Sequence, residues 1–236
     1  MLKSRTIKYG SYCLLICSVL VFLFYFGFNA VSARKVAPVY QASEVDYTLP
    51  QVSDHYRLKS TTSRITLVNY ISLDCIHCRK SYINEDAFLS TLATSSKNIN
   101  IIYRHNPLAS QPLSQEKALI SECVYKQTND AIFFEFIKNI FSSYDDSQKN
   151  NQWVKKLAYR FVPSKEILDT CINDETVRAI IQKQKNENII FDIRYTPTIL
   201  IFVDGKFIKK YENLNGAVML ELLKYYMSIE QPVKGN

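Results

Sequence analysis

The chain has 236 residues, 47% hydrophobic and 22% charged, with 29 basic against 22 acidic residues and only 5 glycines. Three of the basic residues lie at the extreme N-terminus, which leaves 26 against 22, about +4, for the rest. With no clustered Lys/Arg stripe, this mild surplus excludes a nucleic-acid binder. Lys126, Lys138, Lys155, Lys156 and Lys165 read as decoration of solvated helix faces.

The chain opens on a targeting segment. Lys3, Arg5 and Lys8 precede an almost unbroken apolar run from Tyr12 to Phe28, and no acidic residue occurs before Glu44. Such a segment keeps its basic end in the cytoplasm and sends the rest of the chain to or across a membrane. The run is long for a signal-peptide core and just long enough to span a bilayer as one helix. Val31-Ser32-Ala33 is a usable cleavage site, whereas Arg34-Lys35 directly after it hinders export. Residues 1–33 are therefore read as a signal peptide or a transmembrane anchor. Neither Cys13 nor Cys17 comes after the small residue of a bacterial lipoprotein site, so both read as apolar helix residues. Residues 34–53, polar and proline-punctuated, suit a tether. About 200 residues remain beyond the segment, enough for one domain with a sizeable core, and the scattered Tyr and Phe fit a helix-rich α/β domain.

A short strand is expected around His55 to Lys59. The next apolar run, with Ile65, Leu67, Tyr70 and Ile71, reads as a strand that ends in the polar Ser72 and Asp74. A helix-compatible segment starts at Cys75-Ile-His-Cys78 and is expected to run to about Thr94, with Ile83, Phe88 and Leu92 facing inward. At a helix start, Cys75 sits beside unpaired N–H groups and the positive end of the helix dipole, which lowers a thiol's pKa. Cys78, one turn on, faces the protein, so Cys75 is the attacking sulfur and Cys78 the resolving one. His77 between them can donate a hydrogen bond or positive charge to the thiolate.

Three blander readings compete. Four-coordinate zinc needs a second ligand pair at comparable spacing, and the chain offers none: the other histidines are His55 and His105, while Cys123 and Cys171 stand far apart. Haem attachment needs a histidine after the second cysteine, and position 79 is arginine. A structural disulfide across so short a loop gains little chain entropy and is easily reduced.

Asn98 to Arg104 reads as a strand parallel to the cysteine strand, closed by the loop His105-Asn-Pro107-Leu108, with His105 a satisfied loop residue. From Gln111 to about Asn188 the periodicity is helical, broken at Asn129-Asp130, Ser142 to Ser147, Pro163-Ser164 and Asn173, which predicts four or five short helices. Cys123 and Cys171 fall in this block. In an oxidising compartment they are expected to pair, at a gain of roughly 4 kcal/mol; two buried thiols are the other reading. Thr198 to Val203, a tight turn at Asp204-Gly205 and Lys206 to Tyr211 form a hairpin, and a helix is expected after it from about Asn215 to Ile229.

Together, Cys75-Ile-His-Cys78 after a hydrophobic strand and Tyr195-Thr196-Pro197-Thr198-Ile-Leu-Ile-Phe-Val-Asp-Gly205 far downstream resemble the thioredoxin superfamily, and within it the DsbA-like thiol:disulfide oxidoreductases. The resemblance implies an α/β thioredoxin fold with an inserted helical domain, preceded by the hydrophobic N-terminal segment. Residues 54–110 would form the first half with the Cys-x-x-Cys, 111–190 the insert, and 191–236 the second half. It implies that Pro197 is cis and that Thr196 and Pro197 lie against the Cys75/Cys78 pair, with no cofactor and no metal. The implied activity is insertion of disulfides into exported proteins with free cysteines, in the periplasm or on the outer side of the inner membrane. A secreted form results if the segment is cleaved, and a membrane attachment if it is not. Reoxidation would fall to a DsbB-like membrane quinone reductase. Asn69 departs from the family, which usually carries a buried acidic residue six positions before the first cysteine, and Ile76 stands where its best-known members have proline. The alternatives are an isomerase or reductase kept reduced by a membrane donor, and a copper chaperone using Cys75, Cys78 and His77 or His105.

Overall fold

The computed structural model describes residues 54–84 and 99–212. The expected targeting segment, the tether, Phe88, Leu92 and the C-terminal helix lie outside the described residues. Among those described, no helix is long and apolar enough to cross a membrane.

Five strands form one sheet: β1 (His55–Leu58), β2 (Ile65–Ile71), β3 (Ile99–His105), β4 (Thr198–Val203) and β5 (Lys206–Glu212), in the order β1-β3-β2-β4-β5. β2 and β3 run parallel, Ile65 level with Ile99 and Ile71 with His105, while the other pairings are antiparallel. The central strands are apolar on both faces, as a sheet covered on both sides requires. Ile65, Leu67, Ile71, Ile99, Ile101, Tyr103, Ile199 and Ile201 pack into one core, and Val68, Tyr70, Ile102, Leu200 and Phe202 into the other. The strict alternation is the period-two pleat.

The β4–β5 hairpin turns at Asp204 and Gly205, both left-handed with φ of 51° and 75°. A Cβ on Gly205 would meet nothing within 4 Å, so glycine is there for its backbone freedom and not for space.

A helix, α1, covers residues 76–84 after β2. Between β3 and β4 come α2 (Ser114–Gln127), α3 (Asp130–Ser142), α4 (Tyr144–Ser147), α5 (Asn151–Ala158), α6 (Lys165–Ile172) and α7 (Glu175–Ile190). That is one more than the upper expectation, because the break read at Ser142 to Ser147 itself winds into the single turn α4. Four of the helix starts carry capping residues. Asn129, Asn150, Ser164 and Asp174 each turn a side-chain oxygen onto a backbone N–H of the next helix. Ser164→Ala is expected to cost about 1 kcal/mol of stability in urea unfolding, since it orphans the Ile167 N–H.

α3 buries Phe133, Phe134, Phe136, Ile137, Ile140 and Phe141, each worth about 1.5–3 kcal/mol relative to exposure. These side chains belong to the same core as the Leu67 face of the sheet, Cys75 and Cys78. Cys123 of α2 and Cys171 of α6 are joined, with Cα atoms 5.8 Å apart, so the bridge ties two helices of this lobe together.

Two expectations need correction. Ile83 does not face inward: it is 50% exposed, and Tyr82 takes the buried position and donates its hydroxyl to the Phe134 carbonyl at 2.9 Å. His105 is no loop residue but the last residue of β3, and it is buried.

Candidate active site

β2 delivers the chain to the cysteines through a tight turn. The Cys75 N–H donates to the Ser72 carbonyl at 3.1 Å, and from residue 76 the chain is helical, the Arg79 N–H closing the first turn onto the Cys75 carbonyl at 3.0 Å. Cys75 thus stands at the N-terminal end of α1, where backbone N–H groups have no helical partner. The Cys78 N–H donates to Cys75 Sγ at 3.4 Å, and the Ser72 N–H to Cys78 Sγ at 3.5 Å. Both cysteines are free thiols, Cys78 fully buried and Cys75 5% exposed.

The β4 end closes the site from the other side. The Thr196–Pro197 peptide is cis, and the Thr196 carbonyl accepts from the Cys75 thiol at 3.2 Å. The Thr196 hydroxyl is buried beside it. Two positions 121 residues apart therefore meet at one sulfur.

The two thiols are driven apart. Cys75 is lowered to about 5, chiefly by a hydrogen bond from Cys78, then by the Thr196 side chain and the main-chain N–H groups of Cys78 and His77, with burial working against them. Cys78 is pushed well up, first by burial and then by the neighbouring Cys75 sulfur. Alkylation of the reduced protein by iodoacetamide should therefore rise with pH through about 5 at Cys75 and be flat by neutral pH, with Cys78 unreactive. A profile with its midpoint at the ordinary thiol value, about 8.5, would rule this out. Because the folded value is depressed, the thiolate stabilises the reduced form as pH rises above about 5, and that gain is lost as pH falls through it.

His77 does not act as expected. Its imidazole is exposed and bonds neither sulfur; its contribution comes through its main-chain N–H. The copper set is not assembled either. Among the described residues, the cluster of His, Cys, Asp and Glu side chains with metal-binding spacing is His55, His105 and Glu122, with neither cysteine in it. Burial first, with His55 beside it, lowers His105 to about 4 against the pull of Glu122.

Asn69, in the place where the family keeps an acid, is buried with its Oδ1 unpartnered. Composition and spacing did not reveal the groups on the other side of the cysteines. Asp74, directly before Cys75, forms a buried ion pair with Lys117 of α2, and the Tyr144 hydroxyl donates to the Asp74 carbonyl at 2.6 Å. Arg79 donates to the Phe141 carbonyl at 2.8 Å and lies over the Tyr144 ring. These contacts hold the cysteine turn against the helical lobe. The one sequence signal for them is an aspartate beside the nucleophile, with a lysine on the inward face of a later helix.

A family model described as Thioredoxin matches residues 59–220. No curated protein sequence matches the chain. Among solved structures it is similar to DsbA2 of Pseudomonas aeruginosa, at 18% identity and a TM-score of 0.61, over 79% of this chain and 100% of that one. It is also similar to α-DsbA1 of Wolbachia pipientis, at 22% identity and 0.63, over 77% and 95%. BdbD of Bacillus subtilis gives 20% and 0.58, over 74% and 93%. At such identities the likeness is one of fold.

Proposed function

The chain belongs to the thioredoxin family, and from that footing we propose that it is an exported thiol:disulfide oxidoreductase that inserts disulfide bonds into other exported proteins through Cys75 and Cys78. The observation that carries this reading is the split between the two sulfurs, one held as a thiolate at about 5 and the other buried and pushed up. A low-pKa sulfur is a good leaving group, and a stabilised thiolate favours the reduced form of the pair, so its disulfide is a strong oxidant.

In the cycle, a substrate thiolate attacks Cys75 Sγ of the oxidised pair. The Cys75–Cys78 bond breaks, Cys78 leaves and takes up a proton, and a mixed disulfide joins substrate to Cys75. A second substrate thiolate then attacks the substrate sulfur of that bond, forming the new substrate disulfide and releasing the Cys75 thiolate. Two electrons have passed to the pair, and a membrane quinone reductase of the DsbB kind takes them away. Asn69 cannot serve as a base at Cys78, so the proton comes from water or from substrate.

Substrate peptide is read as lying in extended form against the main chain of Thr196, beside Cys75. Ile76 and Tyr195, 37% and 61% exposed, flank that strip with apolar surface. Contacts of this kind are main-chain and greasy, which suits many sequences. The N-terminal apolar run supports export, and the Cys123–Cys171 bridge suits an oxidising compartment.

The test is the redox equilibrium of the full chain against glutathione, read from the state of Cys75 and Cys78, together with oxidation of reduced ribonuclease. A potential between about −120 and −180 mV supports the oxidase. One below about −230 mV, with insulin reduction and no ribonuclease oxidation, would move the protein to the reductase or isomerase class.

A further inference from the structure

Glu122 of α2 carries a carboxylate into the interior between the helical lobe and the sheet, where it meets the first residue of β1 and the last of β3. Its Oε1 lies 2.7 Å from His55 Nε2 and 3.6 Å from His105 Nε2. One donor atom from each of the three side chains lies within 4.8 Å of the others, and all three are buried, at 0–2% exposure. Phe133 stacks on His55 at 4.0 Å and meets His105 edge-on, while Tyr125 covers His55 at 4.3 Å. The walls are aromatic.

Hydrogen bonding alone does not satisfy this cluster. One proton on His55 Nε2 serves Glu122 Oε1, but His105 Nε2 faces the same oxygen at 3.6 Å, too far for a hydrogen bond, and it bonds nothing else. Among the described residues, the groups within ion-pair distance of the carboxylate are these two imidazoles, and Lys126, one turn on, acts on it only from farther away. A buried ring nitrogen without a partner, facing a buried carboxylate at 3.6 Å, is a deficit that a metal ion between them would resolve.

We propose that His55, His105 and Glu122 bind a divalent transition-metal ion of the zinc class. Two imidazole nitrogens and a carboxylate oxygen suit such an ion, and a tetrahedral centre with bonds of about 2.0–2.2 Å sets its donors about 3.3–3.6 Å apart. The His105–Glu122 separation already has that value, and the His55–Glu122 pair opens by about 0.6 Å to reach it. The carboxylate's second oxygen can complete the shell. Bound there, the ion clamps α2 to β1 and β3 and holds the helical lobe on the sheet. The ligands come from three separate elements, His55 and Glu122 being 67 residues apart, which is why no ligand spacing shows in the sequence.

Thiols would compete for the metal, so the test uses the untagged full chain carrying Cys13→Ser and Cys17→Ser, with Cys75 and Cys78 oxidised to their disulfide. Titration with Zn2+, and with Co2+ as the visible probe, should give one ion per chain, with cobalt d–d bands, no thiolate charge-transfer band and a raised unfolding temperature. His105→Gln and Glu122→Gln should each weaken binding at least about hundredfold and abolish the temperature rise. The proposal is overturned if the folded, oxidised wild type binds fewer than about one ion per ten chains, or if folded His105→Gln binds as the wild type does. The wild-type titration decides the matter even where a variant does not fold.

Discussion

Cys78→Ala is expected to turn the protein into a trap that accumulates covalently bound substrates, while Cys75→Ala leaves thiol exchange at background. The asymmetry comes from burial. Cys78 is fully enclosed, so no outside thiolate reaches it, and without Cys75 the described residues offer substrates no usable thiol. In the Cys78 variant the Cys75 thiolate still attacks disulfides, but the buried thiol that would return the bond to the enzyme is gone. The largest single cause of the depressed Cys75 value also goes, since Cys78 donates to that sulfur. Its alkylation midpoint should therefore climb above about 5 in the variant. Non-reducing gels of cell extracts, with mass spectrometry of the adducts, read the trap directly. Full turnover by the Cys75 variant would sink the assignment of the nucleophile.

Breaking the bridge of the helical lobe is expected to be the costliest change to stability. The double variant Cys123→Ala/Cys171→Ala opens a cross-link over 48 residues, worth about 4 kcal/mol in the chain-entropy account. For a domain of this size that lowers the unfolding temperature by about 8–16 °C. Cys123 is fully buried in the core that also holds Cys75 and Cys78, so a loosened lobe should also blunt the pH profile of the active thiol. A loss below about 1 kcal/mol would mean that α2 and α6 are held by packing alone.

The sequence revealed those parts of the molecule whose signal is local. Apolar runs with a two-residue period marked β2 and β4, the cysteine pair sat at the step from strand to helix, and Asp204-Gly205 marked a turn that needs positive φ at both positions. Of the polar breaks, those at Asn129 and Ser164 are caps, whereas the one at Ser142 to Ser147 holds the turn α4 and the cap of α5 falls later, at Asn150. Ile83 lies on the outer face because its neighbour Tyr82, the larger apolar side chain, takes the buried side. The contacts that stayed illegible are those the fold alone brings together. Lys117 looks like any surface lysine until Asp74 is seen against it, and Glu122 like any helix glutamate until His55 and His105 close over it. His77, the obvious partner of the thiolate on paper, gives only a backbone N–H because its ring points to solvent.

The helical lobe also governs when the protein becomes reactive. It lies in the chain between β3 and β4, yet β4 pairs with β2, Ile65 level with Val203. Thr196 and Pro197, directly before β4, cannot reach Cys75 until the whole lobe has been made, a long-range closure that comes late in assembly. Until then Cys75 lacks its contact with Thr196, and an unfolded chain's cysteine titrates near 8.5. A chain still folding therefore carries a mostly protonated, sluggish Cys75 while Cys123 and Cys171 find each other. Part of what sharpens the nucleophile thus arrives only with β4, which limits its chance to scramble its own chain's pairing.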